Sequence, residues 1–353
     1  MIENGGVEPT AESATASEET TAPGATGTVT IYDVARLAGV NPSTVSRALN
    51  RPGRVSAATE ARIRAAADAL DYRVNPMARA LPTGRTSIVG LVVSDITNPV
   101  FFDVIRGAEA AATRADYTLV LSESEESEQR EFENAERMLR MVDGLLLATP
   151  RISADLVRAL ARRKPVAVVN RIVDDVVSVV PDAEHGIAEA VEHLRGLGHR
   201  RIAYLPGPAL SWMGHHRGEL LAQQCHAAHI ELMRLDPVAP TIAGGRSAAE
   251  QVRAGGATAV VAYNDLIAIG LMQELVAAGI RIPADLSVVG FDDIFGADFT
   301  SPPLTTIRSP LREAGDHAMR ELLGRVTASA GPDDCFDLST TLIVRASTGA
   351  AAG

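Results

Sequence analysis

With 353 residues and 46% apolar side chains, the chain is long enough for two to three domains around a substantial core. No apolar run reaches membrane-spanning length and the N-terminus lacks a basic-then-apolar leader, so a cytoplasmic protein is expected. Cys225 and Cys335 lie too far apart for a metal motif or a disulfide framework, and the net charge of −11 argues against a nucleic-acid-binding surface spread over the whole chain.

That charge is unevenly divided. Residues 1–28 hold five glutamates and no Arg or Lys; their Ala, Thr, Glu, Ser and Gly content predicts a disordered tail. From residue 29 to 85, nine arginines stand against Asp33, Glu60, Asp68 and Asp71, giving +5. The remainder returns to −11. A basic segment on an acidic body is what phosphate contact by one domain requires.

Within the basic segment, Thr30 stands three residues before Asp33, a capping-box spacing that predicts a helix from Ile31 to about Ala38. Gly39 ends it. Asn41 as N-cap and Pro42 at the first helical position predict a second helix to about Leu49, after a three-residue turn. Ala35, Gly39 and Val45 give the small contact, the positive-φ turn and the apolar anchor of a tight helix pair. The second helix carries Ser43, Thr44, Ser46 and Arg47, which can hydrogen-bond to base edges and phosphates in a major groove. Ser56 would cap a third helix that presents Ile63, Ala66, Ala67 and Leu70 to the same small core.

Through this stretch, and through Arg51-Pro-Gly-Arg-Val-Ser and Val74-Asn-Pro-Met-Ala-Arg-Ala-Leu81, the chain resembles the lactose-repressor (LacI/GalR) family of bacterial transcription factors. The resemblance implies an operator-binding surface, on which Tyr32, Asn41, Pro42, Asn50 and Arg54 are expected to touch DNA, with Arg36, Arg51 and Arg54 serving mainly phosphates. It also implies a hinge helix contributing Asn75, Ala78 and Leu81. Asn75-Pro76 repeats the cap-plus-proline device of Asn41-Pro42, and Pro82 stops the segment after fewer than two turns, too short to hold alone. In the family such a helix orders when two copies meet over DNA, with Leu81 as a wedge in the minor groove.

From Ser87 onward, short β-branched or leucine-rich runs alternate with amphipathic stretches. They are Ile88–Ser94, Tyr117–Ser122, Gly144–Ala148, Val166–Asn170, Arg201–Pro206, Thr258–Tyr263 and Ser287–Phe291. This alternation predicts α/β architecture: parallel sheets covered by helices, in two doubly wound halves. The resemblance specifies a type I periplasmic-binding-protein-like body behind an all-α helix-turn-helix headpiece, with chain crossings near Pro181, Ser309 and Asp337. The expected division is a headpiece at 29–74, a hinge and linker at 75–87, and an effector-binding and dimerisation domain at 88–348. Its subdomains would be 88–180 with 310–337, and 181–308 with 338–348, before a tail at 349–353.

Ligands of open parallel sheets sit off the carboxyl ends of strands, which directs attention to the residues after each run. There stand Phe101 and Phe102, Arg171, Asn264-Asp265 and Asp292-Asp293, with Arg217 in the expected loop after Pro206. Guanidinium, amide and carboxylate groups suit a polyhydroxylated ligand. By resemblance, Arg217, Asn264 and Asp292 match effector-holding positions, Arg171 extends the set, and the two aromatics offer ring faces. Asp265 and Asp293 are read as caps of following helices. The family's Asp-Asn after the first crossing is Asp182-Ala183 here, so the hinge must be held without that amide.

An enzyme is disfavoured. His185, His193, His199, His215 and His216 make no metal or triad spacing, and no glycine-rich phosphate loop is present. No cofactor is expected. A free-standing sugar-binding protein would need export and would not carry the basic headpiece. The expectation is a homodimeric repressor of carbohydrate genes, holding a near-palindromic double-stranded operator and released by a sugar, with a nucleobase or other corepressor as the alternative.

Overall fold

The computed structural model describes residues 29–50, 53–73, 85–328 and 337–352, with backbone only for Asn50. Arg51, the expected hinge contacts Asn75, Ala78 and Leu81, and Cys335 lie outside the described residues. The chain divides into two compact units, residues 1–78 and 79–353.

Among its described residues the first unit is a three-helix headpiece: α1 (Ile31–Ala38), α2 (Pro42–Asn50) and α3 (Ala57–Ala69). At the start of α1 the Thr30 backbone N–H and hydroxyl both donate to the Asp33 carboxylate, at 3.0 and 2.7 Å. Gly39 ends α1 in the left-handed region at φ 64°, and the following amide of Val40 returns to the Ala35 carbonyl at 3.0 Å. That closure is an ordinary helix C-cap which only a residue free of a Cβ adopts cheaply. Ser56 Oγ accepts from the Thr59 amide and starts α3. Val34, Ala35, Ala38, Val45, Ala48, Ile63, Ala66 and Ala67 form the buried core, with Leu70 packed at its margin.

The second unit holds two sheets. The first has the order β2-β1-β3-β4-β5, all parallel, from β1 (Ile88–Val93), β2 (Thr118–Glu123), β3 (Gly144–Ala148), β4 (Val166–Val169) and β5 (Val177–Val179). β3 and β4 are buried at every position, as strands covered on both faces must be. Helices α4 (Val100–Arg114) and α12 (Leu311–Thr327) cover one face, and α5 (Glu128–Met138) and α6 (Ala154–Ala161) the other. Helices α4 and α12 approach through Gly107 and Gly315. A Cβ on Gly107 would stand 2.0 Å from the Arg312 carbonyl oxygen, and one on Gly315 2.4 Å from that of Val104.

The second sheet runs β11-β10-β9-β8-β6-β7, parallel except for β11. Its strands are β6 (Arg201–Leu205), β7 (Glu231–Arg234), β8 (Ala259–Ala262), β9 (Ser287–Asp292), β10 (Thr305–Arg308) and β11 (Thr341–Ile343). α7 (Ala183–Gly196) and α8 (Trp212–Ala227) pack on one face; α9 (Ile242–Ser247), α10 (Ala249–Gly255) and α11 (Asp265–Ala277) pack on the other. The fold is therefore the doubly wound, two-subdomain arrangement expected from the alternation of runs.

The chain passes between the subdomains after β5, after β10 and before β11. Two of these passages are tied together. The Asp182 amide donates to Leu338, the Thr340 amide donates back to the Asp182 carbonyl at 3.0 Å, and the Thr340 hydroxyl donates to the same oxygen at 2.8 Å. The Asp182 side chain caps α7 through the Glu184 amide at 2.9 Å. Backbone bonds thus hold this hinge strand where the family's amide is missing. Among the described residues no helix is long and apolar enough to cross a membrane.

Candidate functional site

In the headpiece, α2 buries Val45 and Ala48, packs Leu49 against the same core, and turns its polar residues from 42 to 47 outward. Ser43 and Arg47 lie on that outward surface, as do Pro42, Thr44 and Ser46, while Asn41 and Arg54 flank it. Tyr32 on α1 is 68% exposed, which is unusual for an aromatic that could have joined the core. Arg47 folds back along α2, with Nε donating to the Ser43 carbonyl at 3.2 Å, a weak restraint on a long side chain. Arg36 is paired with Asp33 at 2.7 Å.

In the body, a cavity lies between the two subdomains at the carboxyl ends of their strands. The first subdomain contributes Ser94, Asn98, Phe101, Glu126, Thr149, Arg151 and Asn170; the second contributes Met213, Arg217, Tyr263, Asn264 and Asp292. The free space is only about 20 Å³, room for about one water molecule. A ligand larger than that requires the walls to separate.

Arg217 and Asp292 form the centre of the second wall. Arg217 Nη2 donates to Asp292 Oδ1 at 2.9 Å, Nη1 donates to the Tyr263 carbonyl at 3.0 Å, and the guanidinium lies 3.5 Å from the centroid of Phe291. Arg217 is not in a loop, as its sequence context suggests. Ser211 caps a helix that starts at Trp212, so Arg217 sits in its second turn with a fixed direction. Asp292 has φ 105°, a strained value for a residue with a Cβ and one common at functional positions. Burial pushes its carboxyl up to about 6, against the opposing pull of Arg217.

The first wall carries a second ion pair. Arg151 donates Nε and Nη2 to Glu126 at 2.7 and 3.1 Å and Nη1 to the Thr149 carbonyl at 2.8 Å. Behind it, Glu131 accepts the Arg151 and Ile152 amides at 2.7 and 3.3 Å, and burial pushes its carboxyl up to about 7. The two arginines of the cavity are thus each matched by a carboxylate.

Three polar atoms on residues that line this cavity are buried without a hydrogen-bond partner among the described residues: Ser94 Oγ, Asn170 Oδ1 and Arg217 Nε. Each uncompensated group costs about 1–3 kcal/mol, a cost that a ligand able to pair with it removes.

Several expectations from the sequence need correction. Phe101 lines the cavity but is also core, at 3% exposure, whereas Phe102 points to solvent and is not in the wall. Arg171 turns away: its Nη1 donates to the carbonyls of Pro150 and Ile152 at 3.3 and 2.5 Å, and Asn170, in the left-handed region at φ 63°, takes the wall position. Asn264 lines the cavity, yet its Oδ1 caps α11 through the Ile267 amide and its Nδ2 donates to Pro240. Asp265 is no cap. It is fully buried and accepts from Thr306 Oγ1 at 2.5 Å and the Ile294 amide at 2.8 Å. Burial, reinforced by the charge of Asp292, holds its carboxyl well above the usual range. Asp293 instead pairs with Arg308 and Arg345. Sequence reasoning misses Ser94, Glu126, Thr149, Arg151, Asn170 and Tyr263, although Ser94 and Asn170 are the last residues of runs whose carboxyl ends it singles out.

A three-helix headpiece with a cationic second helix, carried on a two-subdomain body with a polar cleft, defines a DNA-binding regulator controlled by a small ligand. The model for bacterial regulatory proteins of the lacI family matches residues 30–75, and that for a periplasmic binding protein-like domain matches residues 191–348. The chain is 33% identical over 336 residues to the HTH-type transcriptional repressor PurR of Photobacterium profundum, covering 90% of this chain and 98% of that protein. It is likewise 33% identical over 327 residues to the ribose operon repressor of Escherichia coli (strain K12), covering 90% and 99%. Among solved structures, the lac repressor dimer bound to operator and the anti-inducer ONPF aligns with a TM-score of 0.81 at 27% identity, covering 92% of this chain and 100% of that one. The chain belongs to the lacI family of bacterial regulatory proteins, and it is a ligand-responsive, DNA-binding transcriptional regulator.

Proposed function

We propose that this regulator is a homodimeric repressor whose effector is a small, uncharged, polyhydroxylated molecule of the sugar class, bound between the subdomains. The observation that carries the reading is the trio of buried, unpaired polar atoms around one cavity, Ser94 Oγ, Asn170 Oδ1 and Arg217 Nε. They comprise a hydroxyl, an acceptor and a donor, the set that adjacent sugar hydroxyls can satisfy because each hydroxyl both donates and accepts. The pairing of Arg151 with Glu126 and of Arg217 with Asp292 leaves no surplus cation for a phosphate among the described residues of the cavity, which favours a neutral sugar over a sugar phosphate. The ribose operon repressor among the relatives agrees with this class.

In this reading two headpieces bind half-sites of a near-palindromic operator in the cytoplasm, with α2 in the major groove. Ser43, Thr44, Ser46 and Arg47 read bases, while Tyr32, Asn41, Pro42, Asn50 and Arg54 support register. Asn75, Ala78 and Leu81 act in the hinge at 75–87. The sugar needs more than the present cavity of about 20 Å³ and so favours a different separation of the walls, pivoting on the three passages between subdomains. The shift it can impose on DNA binding equals its differential affinity for the two states.

The test is a thermal-shift screen of the full chain against pentoses, hexoses, their phosphates and the nucleobases, followed by operator release with each stabilising compound. A neutral sugar that stabilises the protein and releases operator supports the reading. Stabilisation by a nucleobase that tightens operator binding replaces it with corepression.

A further inference from the structure

We propose that the body carries a second small-molecule site, separate from the inter-subdomain cleft, that takes a small planar carboxylate of the benzoate type. The carboxyl ends of β6 and β7 and the first turn of α8 enclose a depression of about 190 Å³, far more room than the cleft offers. An apolar cavity of about 150 Å³ accepts benzene, so this volume suits one six-membered ring. It lies off the carboxyl edge of a parallel sheet, where the geometry of the fold places ligands.

The walls are flat and rigid: the Tyr204 ring, Pro206, Pro208 and Pro237, with Leu235 beside them. Two polar side chains break this apolar surface. Arg234 donates Nη2 to the Gly218 carbonyl at 2.9 Å, which restrains the guanidinium at the rim, and no carboxylate among the described residues pairs with it. Its remaining donors form the fork that a carboxylate accepts in two parallel bonds. His215 Nδ1 donates to the Ser211 carbonyl at 2.9 Å, so in the neutral ring Nε2 is a bare acceptor, suited to a ring hydroxyl.

The site is distinct from the cleft because Tyr263 stands between them. A Cβ on Gly207 would fall 2.5 Å from the Tyr263 ring, and one on Gly214 3.2 Å from it, while the same tyrosine lines the cleft. Its hydroxyl is held by Ser211 at 3.0 Å. Helix α8 serves both cavities, with His215 in the wall of the outer one and Arg217 in the wall of the inner one.

Calorimetric titration of the full chain with benzoate and 4-hydroxybenzoate tests the proposal. Saturable binding of one molecule per chain is expected, with 4-hydroxybenzoate the tighter. Benzyl alcohol, which has the ring without the charge, should bind at least tenfold more weakly. Arg234→Gln should weaken benzoate at least tenfold and Ala209→Trp, which fills the depression, should remove binding. Asp292→Asn in the cleft should leave it unchanged. Retained operator binding shows that each variant is folded. Dissociation constants above about 1 mM for both carboxylates overturn the proposal. So does binding that Arg234→Gln and Ala209→Trp leave intact, or that Asp292→Asn abolishes.

Discussion

Arg217 donates to Asp292 across 2.9 Å with both side chains more than nine-tenths buried, and the same guanidinium keeps its Nε without an acceptor among the described residues. The pair therefore both closes the wall and leaves one donor for a ligand. Removing one partner of a buried pair strands the other at a cost of about 3–5 kcal/mol, so truncation confuses stability with function. Asp292→Asn keeps the shape and an acceptor while removing the charge. We expect it to bind operator within about twofold of the wild type and to lose effector-driven release by at least tenfold, a change of about 1.4 kcal/mol or more. Fluorescence anisotropy with labelled operator measures both; unchanged release would remove Asp292 from the effector site.

The raised carboxyls of Glu131 and Asp292 make the body's stability depend on pH in a definite direction. For a group whose folded pKa lies above its unfolded value, the stabilisation is complete below the unfolded pKa and is lost as pH rises through the folded one. The window runs from about 4.5 to about 7 for Glu131 and from about 3.8 to about 6 for Asp292. His199 acts in the opposite sense. Burial lowers its pKa from 6.5, so its contribution is present above 6.5 and is lost as pH falls. Glu131→Gln keeps an oxygen for the two backbone amides and removes the titration. Melting curves between about pH 5 and 7.5 should show a weaker decline with rising pH in Glu131→Gln than in the wild type. Identical slopes would show that Glu131 is ionised throughout.

In the headpiece, base reading and phosphate holding are separable. Arg47 is exposed on α2 and, among the described residues, tethered only to Ser43, whereas Arg36 is already paired with Asp33. Arg47→Ala should cost about 1–3 kcal/mol on the operator and relax preference at one base pair. Arg54→Ala should weaken specific and random duplexes alike and reduce the salt slope by about one. Equal losses on both duplexes for Arg47→Ala would assign it to phosphate.

Gly315 tests the packing of α12 on the first sheet. Its Cα lies so close to α4 that an added Cβ would stand 2.4 Å from the Val104 carbonyl oxygen, against backbone with no flexible neighbour to yield. Gly315→Ala should destabilise the body by about 1–3 kcal/mol or more, read as a lowered melting temperature. An unchanged melting temperature would mean that the two helices slide apart freely.

Much of the fold is legible in the sequence because its signals are local. Thr30, Asp33, Gly39, Pro42 and Ser56 mark helix ends by hydrogen bonding or backbone freedom, and seven runs rich in apolar residues form strands, six of them largely buried and β2 a half-exposed edge. The strands that escape a sequence reading lack such a run. β7 is a half-exposed edge, β5 and β11 are three residues long, and β10 buries Thr305 and Thr306, whose hydroxyls bond Thr348 and Asp265. At the end of β4 the sequence locates the cleft wall to within one residue. Whether Asn170 or Arg171 faces the cleft depends on a single positive φ there, and the match of Arg151 to Glu126 bridges 25 positions of sequence. Neither leaves a mark in the local pattern.

Asn170 gives the most direct test of a neutral sugar held between the subdomains, because its unpaired acceptor belongs to the opposite wall from Arg217 and is remote in sequence from every residue assigned to DNA. Operator release should be titrated by anisotropy with the neutral sugar that most stabilises the full chain, in the wild type and in Asn170→Ala. Release is predicted with that sugar but not with its phosphate, and Asn170→Ala should need at least tenfold more of it, with operator affinity unchanged in its absence. Release by the phosphate alone, or the same sugar dependence in both proteins, would contradict a neutral sugar at this site.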